Sequence, residues 1–522
     1  MKKFMTINRI FLLVFFAVLL LAGFLYTYPI LNYNFPFTTD QGRDMLDIRE
    51  IAVSYHPSLI GPTTSINGVY LGPFYYYFNV VPFWIGSGDP TVLVYWNILW
   101  YLIAAVLLFY LNYKSNFWFG FFSSLLFLTC NAFFYSARYF WNANPMPYLT
   151  VFYFVSLVYL VMRRNIKSGF LAGLLSGLFL QVEAAFAVTF FPFLVVYSLI
   201  RRVNFKTILF SGIGFGLTLL PQVVFELRHQ FVMTKTFFKE ISGESQILGE
   251  KISFWDAQIS HFLDFANFSD QIITGNIYLS YTLMVIALLF LIYRYKKLLE
   301  INKEYFLSAI LFVAFAFIFY SWYLHPLKGW YILGLRIPYI IILGLFFAEI
   351  IRLKKTILTI GVAGLLIFSV FNMLQMQLKF VPEGSPTSRS GDKSNFRNEI
   401  EAIDWVYNKA GGQGFKAYNY MPSVYDYPYQ YLYWWYGGKT YGYHPETVTY
   451  LDNVPEYIKE NSKYYDKARP AGEDPLVFLV YEKDSSAERL NAWLGNFTKY
   501  CTLEKQEYTW GTTVEMRKIC NE

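Results

Sequence analysis

At 522 residues, with 55% hydrophobic and 21% aromatic side chains and only 15% charged ones, the chain is too apolar for soluble domains of this length. It reads as an α-helical multi-pass membrane protein. The formal charge of +7 does not mark a nucleic-acid binder, because much of the Lys and Arg lies in short clusters beside apolar runs, as in cytoplasmic loops.

Met1 to Arg9 is short and basic, and Ile10 to Ile30 is apolar without a small-residue cleavage site. This predicts a retained first helix with a cytoplasmic N-terminus, whose far end delivers the next segment to the extracytoplasmic face. That segment, TTDQGRDMLDIREI (Thr38 to Ile51), gathers Asp40, Arg43, Asp44, Asp47, Arg49 and Glu50. Asp40, Asp44 and Asp47 are four and three apart, so a helix here lines carboxylates along one side, and an amphipathic helix lying on the membrane is expected. Asp40 is the expected general base. From His56 to Phe78 the chain is dense in Gly and Pro and then in tyrosine (Tyr75, Tyr76, Tyr77). A shaped loop under the surface layer and an aromatic belt that anchors helices are both compatible with that run.

After Pro90 apolar spans recur near 90–111, 117–135, 147–162, 169–182, 185–200, 206–224, 276–294, 304–323, 330–351 and 355–374. With the first they make about eleven at the roughly 20-residue length a bilayer requires. Basic clusters at Lys114, Arg163 to Lys167, Arg201 with Arg202, Lys296 with Lys297, and Arg352 to Lys355 all fall on the side of Met1, which leaves the C-terminus outside. Residues 169–200 join two such clusters, so the chain goes up and returns with about 16 residues per leg, about 24 Å at 1.5 Å each. The tip therefore stops short of the outer surface. It carries Glu183, expected to line a cavity open to the outside; the alternative is one tilted helix with a snorkelling Glu.

Two further outer stretches are unusual. Ser136 to Leu149 places Arg138, Asn142 and Asn144 beside Pro145 and Pro147, which excludes regular helix there. His325 to Ile340 carries His325, Lys328, Trp330 and Tyr331, and Arg336 lies about two turns beyond Lys328 if the helix is continuous. Two cations on one face make a track for an anionic head group, although Lys328 read alone also fits snorkelling.

The expected domains are a transmembrane catalytic part, 1–374, with outer loops 30–89 and 225–275, and an extracytoplasmic mixed α/β domain, 375–522. Loop 225–275 is expected to form short interfacial helices. The tail holds a helix-like IEAIDWVYNKA (Ile400 to Ala410) and a strand-like LVFLVYE (Leu476 to Glu482). Cys501 and Cys520 read as a disulfide or as two free thiols, and Cys130 lies in a span. No P-loop, no H-E-x-x-H and no zinc-ribbon spacing is present, and five histidines argue against a His-rich metal centre.

An acidic residue after the first span, a Pro-rich loop ending in aromatics, many spans and an outer C-terminal domain together resemble the polyprenyl-phosphate-dependent glycosyltransferases of the GT-C class. The branch most similar holds the lipid A aminoarabinose transferases and the protein O-mannosyltransferases. Asp40, Gln41, Arg43, Arg49 and Glu50 occupy the places of that family's first loop motif, and Asn67, Gly68, Tyr70, Pro73 and Tyr75 follow the outline of its second. The resemblance implies catalysis by Asp40 and a donor sugar on a long isoprenoid phosphate. Lys328, Arg336, Arg138, Tyr70 and Tyr331 are then expected at the donor phosphate, with Arg43, Asp44, Glu183, Asn142 and His325 lining the cavity.

Gln41 replaces the family's second acidic residue, and the Glu-Lys expected between Tyr70 and Pro73 is missing. No obligatory metal is therefore expected, a divalent cation being the alternative. The expected partners are the polyprenyl-phosphate-linked donor, an extracytoplasmic acceptor (lipid, glycan or protein) and the bilayer, with no nucleic acid; the expected location is the plasma membrane. Two other functions fit the same features: a transporter or flippase of lipid-linked sugars, and a non-catalytic scaffold that binds cell-wall glycan.

Overall fold

The computed structural model describes residues 2–242, 252–267, 270–273, 275–423, 425–452, 454, 457 and 468–520. In chain order the helices are α1 (Lys2–Thr27), α2 (Thr39–Val53), α3 (Phe74–Ile85), α4 (Pro90–Tyr113), α5 (Phe117–Thr129), α6 (Asn131–Ala137), α7 (Met146–Arg163), α8 (Ile166–Leu178), α9 (Ala184–Ala187), α10 (Phe190–Ile200) and α11 (Phe205–Arg228). They continue with α12 (Val232–Ser242), α13 (Phe254–Asn267), α14 (Asp270–Ile273), α15 (Ile277–Arg294), α16 (Glu300–Tyr320), α17 (Arg336–Arg352), α18 (Thr356–Leu378) and α19 (Phe396–Ala410). Then come β1 (Phe415–Tyr420), α20 (Tyr427–Leu432), β2 (Thr447–Thr449), β3 (Leu476–Glu482), a helix at Ala487–Leu494, β4 (Tyr500–Glu507) and β5 (Thr512–Ile519).

Among the described residues eight helices are long and apolar enough to cross a membrane. The bent pair α5 and α6, which turns by 61°, makes a ninth, and two shorter apolar helices lie at Ile166–Gln181 and Ala184–Ile200. Each of the eleven expected stretches therefore contains an apolar helix, and the chain has the fold of a multi-pass membrane protein.

Two compact units divide the chain: Met1–Thr27 with Pro57–Phe78 and Val94–Phe380, and Tyr28–His56 with Asn79–Leu93 and Val381–Glu522. In the helical unit α17 is buried from Arg336 to Ile350, and Gly344 lies against Ser123 of α5. Gly169, Gly173 and Gly177, spaced by four, put a row of small residues on α8, and α11 packs there through Thr207, Ser211 and Thr218. Two basic clusters also close the ends of helices. Arg201 Nε reaches Glu304 at 3.0 Å, and Arg294 and Arg352 pair with the buried Glu349 at 3.4 and 2.5 Å.

In the second unit a five-stranded sheet runs β2-β1-β3-β5-β4. β1 pairs in parallel with β2 and β3, whereas β5 pairs antiparallel with β3 and β4. All of LVFLVYE is buried, as a strand covered on both faces requires. Tyr418, Tyr420, Leu479, Tyr481, Trp493, Phe497 and Tyr500 form its core, and Cys501 is disulfide-bonded to Cys520. Helix α19 ends at Gly411, just after the expected Ile400 to Ala410 stretch, and begins four residues earlier than expected, on its Asn395 cap.

Three expectations are corrected. Helix α2 is not amphipathic on an open surface: Gln41 to Leu46, Ile48, Arg49, Ile51 and Ala52 are all buried within the second unit. Lys328 and Arg336 do not share a helix, because 321–332 is a run of turns containing Pro326 and Gly329, and α17 begins only at Arg336. The tyrosines 75–77 stand in α3 rather than in a loop. The 225–275 stretch holds the end of α11 and helices α12, α13 and α14; residues 243–251, 268–269 and 274 lie outside the described ones.

Candidate functional site

Helix α2 begins on Thr38. Gln41 Oε1 accepts from the Thr38 backbone N (2.9 Å) and from its Oγ1 (2.6 Å), so Gln41 caps the helix. This fixes the first turn, which carries Asp40 with its side chain 42% exposed. Arg43, one turn on, donates through Nη1 to Asp40 Oδ1 at 3.0 Å, and through Nε (3.1 Å) and Nη2 (2.8 Å) to Asp44 Oδ1. Asp44 is fully buried. Burial pushes its carboxyl up to about 7, with the Arg43 charge pulling the other way and Asp40 and Asp47 adding to the rise.

Further along, Asp47 accepts from the Tyr457 hydroxyl at 3.3 Å, and Arg49, fully buried, lies 5.0 Å from the Trp434 ring centroid and 3.5 Å from Glu50. One exposed carboxylate thus sits at the start of a helix whose other charges are tied into the second unit. A hydroxyl or amine proton can be taken there.

The helical unit carries a second group. The up-and-down apolar hairpin breaks at Val182 and Glu183, where Glu183 has extended backbone and caps α9 by accepting from the Ala185 N–H at 3.1 Å. Asn142, in the irregular 138–145 stretch, holds the break open by donating to the Val182 carbonyl at 2.8 Å. Tyr320 donates to the Ala185 carbonyl at 2.6 Å, and Glu183 lies within electrostatic reach of Lys328. Lys328 itself is exposed, with its Nζ 5.4 Å from the Trp330 ring and 5.8 Å from that of Tyr331. Tyr331 shares a 3.0 Å hydroxyl contact with Ser65.

The 57–73 stretch is seated on the same hairpin. A Cβ on Gly72 would lie 1.8 Å from Gln181 Oε1 and would displace that amide, and Gln181 bonds Gln222 at 3.0 Å, which in turn donates to the Tyr70 carbonyl at 3.4 Å. The structure therefore brings Glu183, Asn142, Lys328, Tyr331 and the Tyr70 loop onto one framework. The His325 carbonyl is bonded to His261 Nε2 at 3.0 Å. Arg138 lies over Phe134 and Phe380 at 4.7 and 5.0 Å, and Arg336, also buried, opens α17. Among the described residues no three His, Cys, Asp or Glu side chains are grouped as metal ligands.

Against solved structures the chain matches two crystal structures of ArnT from Cupriavidus metallidurans, one bound to undecaprenyl phosphate and one in the apo state. Each shows 12% identity, a TM-score of 0.56 and coverage of 97% of both chains. The chain has an ArnT-like GT-C fold. No family model matches it, and no curated protein does. The likeness to ArnT runs through the helices and the C-terminal sheet alike, since nearly the whole of both chains is covered.

Beside this ArnT-like framework, three features escaped the sequence reading. The T-x-x-Q cap of Thr38 and Gln41 has a recognised signature and could have been found. The seat of α2 on YPYQYLYWWY (Tyr427 to Tyr436) and the tie from Asp47 to Tyr457, 410 residues away, have no local signal.

Proposed function

We propose that this chain is an integral-membrane glycosyltransferase that moves a sugar from a polyprenyl-phosphate donor to an extracytoplasmic acceptor, with Asp40 as general base. The acceptor oxygen or nitrogen attacks the anomeric carbon, its proton passes to Asp40, and the bond to the phosphate breaks with inversion. Phosphate is already a good leaving group, so deprotonating the nucleophile and holding the departing dianion are the two demands. The observation that carries this reading is the half-exposed Asp40 carboxylate in the first turn of α2, held by Arg43, in a chain with an ArnT-like fold.

Lys328, Arg336 and Arg138 are assigned to the donor phosphate. In support, Arg336 is a buried cation at the first turn of α17. That one ArnT structure is bound to undecaprenyl phosphate supports a donor of the same lipid class. The Cys501–Cys520 disulfide favours an oxidising compartment for the C-terminal part, and the basic clusters favour a cytoplasmic N-terminus in the plasma membrane. Mass spectrometry of surface glycans and lipids from cells with the parent chain, with Asp40→Asn and with neither tests the reading: one sugar modification should be present only with the parent.

A further inference from the structure

A stack of tyrosines stands beside α2, within the same unit. Tyr425 and Tyr427 lie 5.2 Å apart at 14°, and Tyr427 and Tyr457 are 4.4 Å apart at 50°. Tyr425 is 56% exposed and Tyr457 38%. The turn bearing Tyr425 is tied to the residue next to Asp40: Ser423 Oγ meets Thr39 Oγ1 at 2.6 Å and donates to the Tyr425 carbonyl at 3.3 Å. Asp47 accepts from Tyr457 at the other edge.

We propose that this stack is the platform for the acceptor, and that the acceptor presents a neutral pyranose ring to it. The acceptor role rests on the transferase reading above; the binding of a sugar ring does not. A pyranose has an apolar C–H face that packs on an aromatic ring and a rim of hydroxyls that seeks acceptors. Here rings lie beside hydroxyls (Thr39, Ser423, Tyr457) and the Asp47 carboxylate. An anionic head group would need cations instead, and the guanidinium at this place, Arg43, is engaged by Asp40 and Asp44. The stack is tied through Ser423 to Thr39, the residue next to the proposed base in sequence.

The test is saturation-transfer NMR on the full chain in lipid nanodiscs free of glycoside detergent. The probes are methyl α-D-glucopyranoside, methyl α-D-mannopyranoside and methyl β-D-galactopyranoside, each with and without inorganic phosphate as a competitor. Saturation should pass from tyrosine ring protons to the C–H face of at least one glycoside. It should fall about three- to tenfold in Tyr425→Ala, remain in Tyr425→Trp, and be indifferent to phosphate. Asp40→Asn should keep this binding while losing sugar transfer. If no glycoside receives saturation, if Tyr425→Ala receives as much as the parent, or if phosphate displaces the sugar, the platform assignment is overturned. If instead binding behaves as expected and the parent shows no sugar transfer, the transferase reading fails and the sugar platform stands; if Asp40→Asn still transfers, Asp40 is not the base.

Discussion

Arg43 donates from both Nε and Nη2 to one oxygen of Asp44, at 3.1 and 2.8 Å. The carboxyl is nevertheless buried deeply enough to sit near 7, against an ordinary carboxylate value of 3.8. Between those values the folded state binds more protons than the unfolded state. The contribution of Asp44 to stability is thus present at acid pH and lost as pH rises through about 7. Thermal unfolding of the full chain from pH 5 to 8 should show a fall in Tm that Asp44→Asn flattens. An identical pH slope in the variant would contradict the assignment.

Gly42 has no room for a methyl group: a Cβ there would lie 2.3 Å from the backbone N of Pro428, in the segment that seats α2. Gly42→Ala should cost about 1–3 kcal/mol. Gly212, on α11, has nothing within 4 Å, and Gly212→Ala should be neutral or stabilise by up to about 1 kcal/mol. Comparing the two melting temperatures separates seat from helix propensity.

Asn142 is the strut of the broken hairpin. Removing its amide in Asn142→Ala leaves the buried Val182 carbonyl without this donor, at about 1–3 kcal/mol. Hydrogen exchange over 183–187 should quicken in the variant, and Glu183 should lose its fixed cap. Unchanged exchange there would show that the break holds by itself.

Reduction should act on the C-terminal sheet alone. The Cys501–Cys520 bond links positions 19 apart, and in the chain-entropy view a loop of that size is worth about 3 kcal/mol. Intact cells treated with a thiol-reactive maleimide should give no labelling of these two cysteines until reductant is added. Labelling without reductant would contradict an oxidising location.

Much of this was legible beforehand because it follows from local rules. Eleven apolar stretches, the LVFLVYE strand, α19 with its terminal glycine, and the break at Glu183 come from hydropathy, periodicity and helix-stop residues. The acidity of the first loop also reads directly. What its other charges do does not, since Asp44 and Arg49 look like solvated helix residues until the C-terminal segment folds around them. Arg201 and Arg352 read as topology markers, which hides the pairing of Arg201 with Glu304 on a distant helix and of Arg352 with Glu349 one turn back on α17. Lys328 and Arg336 went astray because hydropathy runs smoothly across Pro326 and Gly329 while the backbone does not.

The central claim is that Asp40 takes the acceptor proton. Proteoliposomes holding the parent or Asp40→Asn, supplied with a labelled polyprenyl-phosphate sugar and an envelope acceptor extract, measure it directly. Transfer should fall by about 100-fold or more in the variant while donor binding is retained. Parental transfer rates in a normally folded Asp40→Asn protein, or movement of the donor across the bilayer without any transfer in the parent, would contradict it.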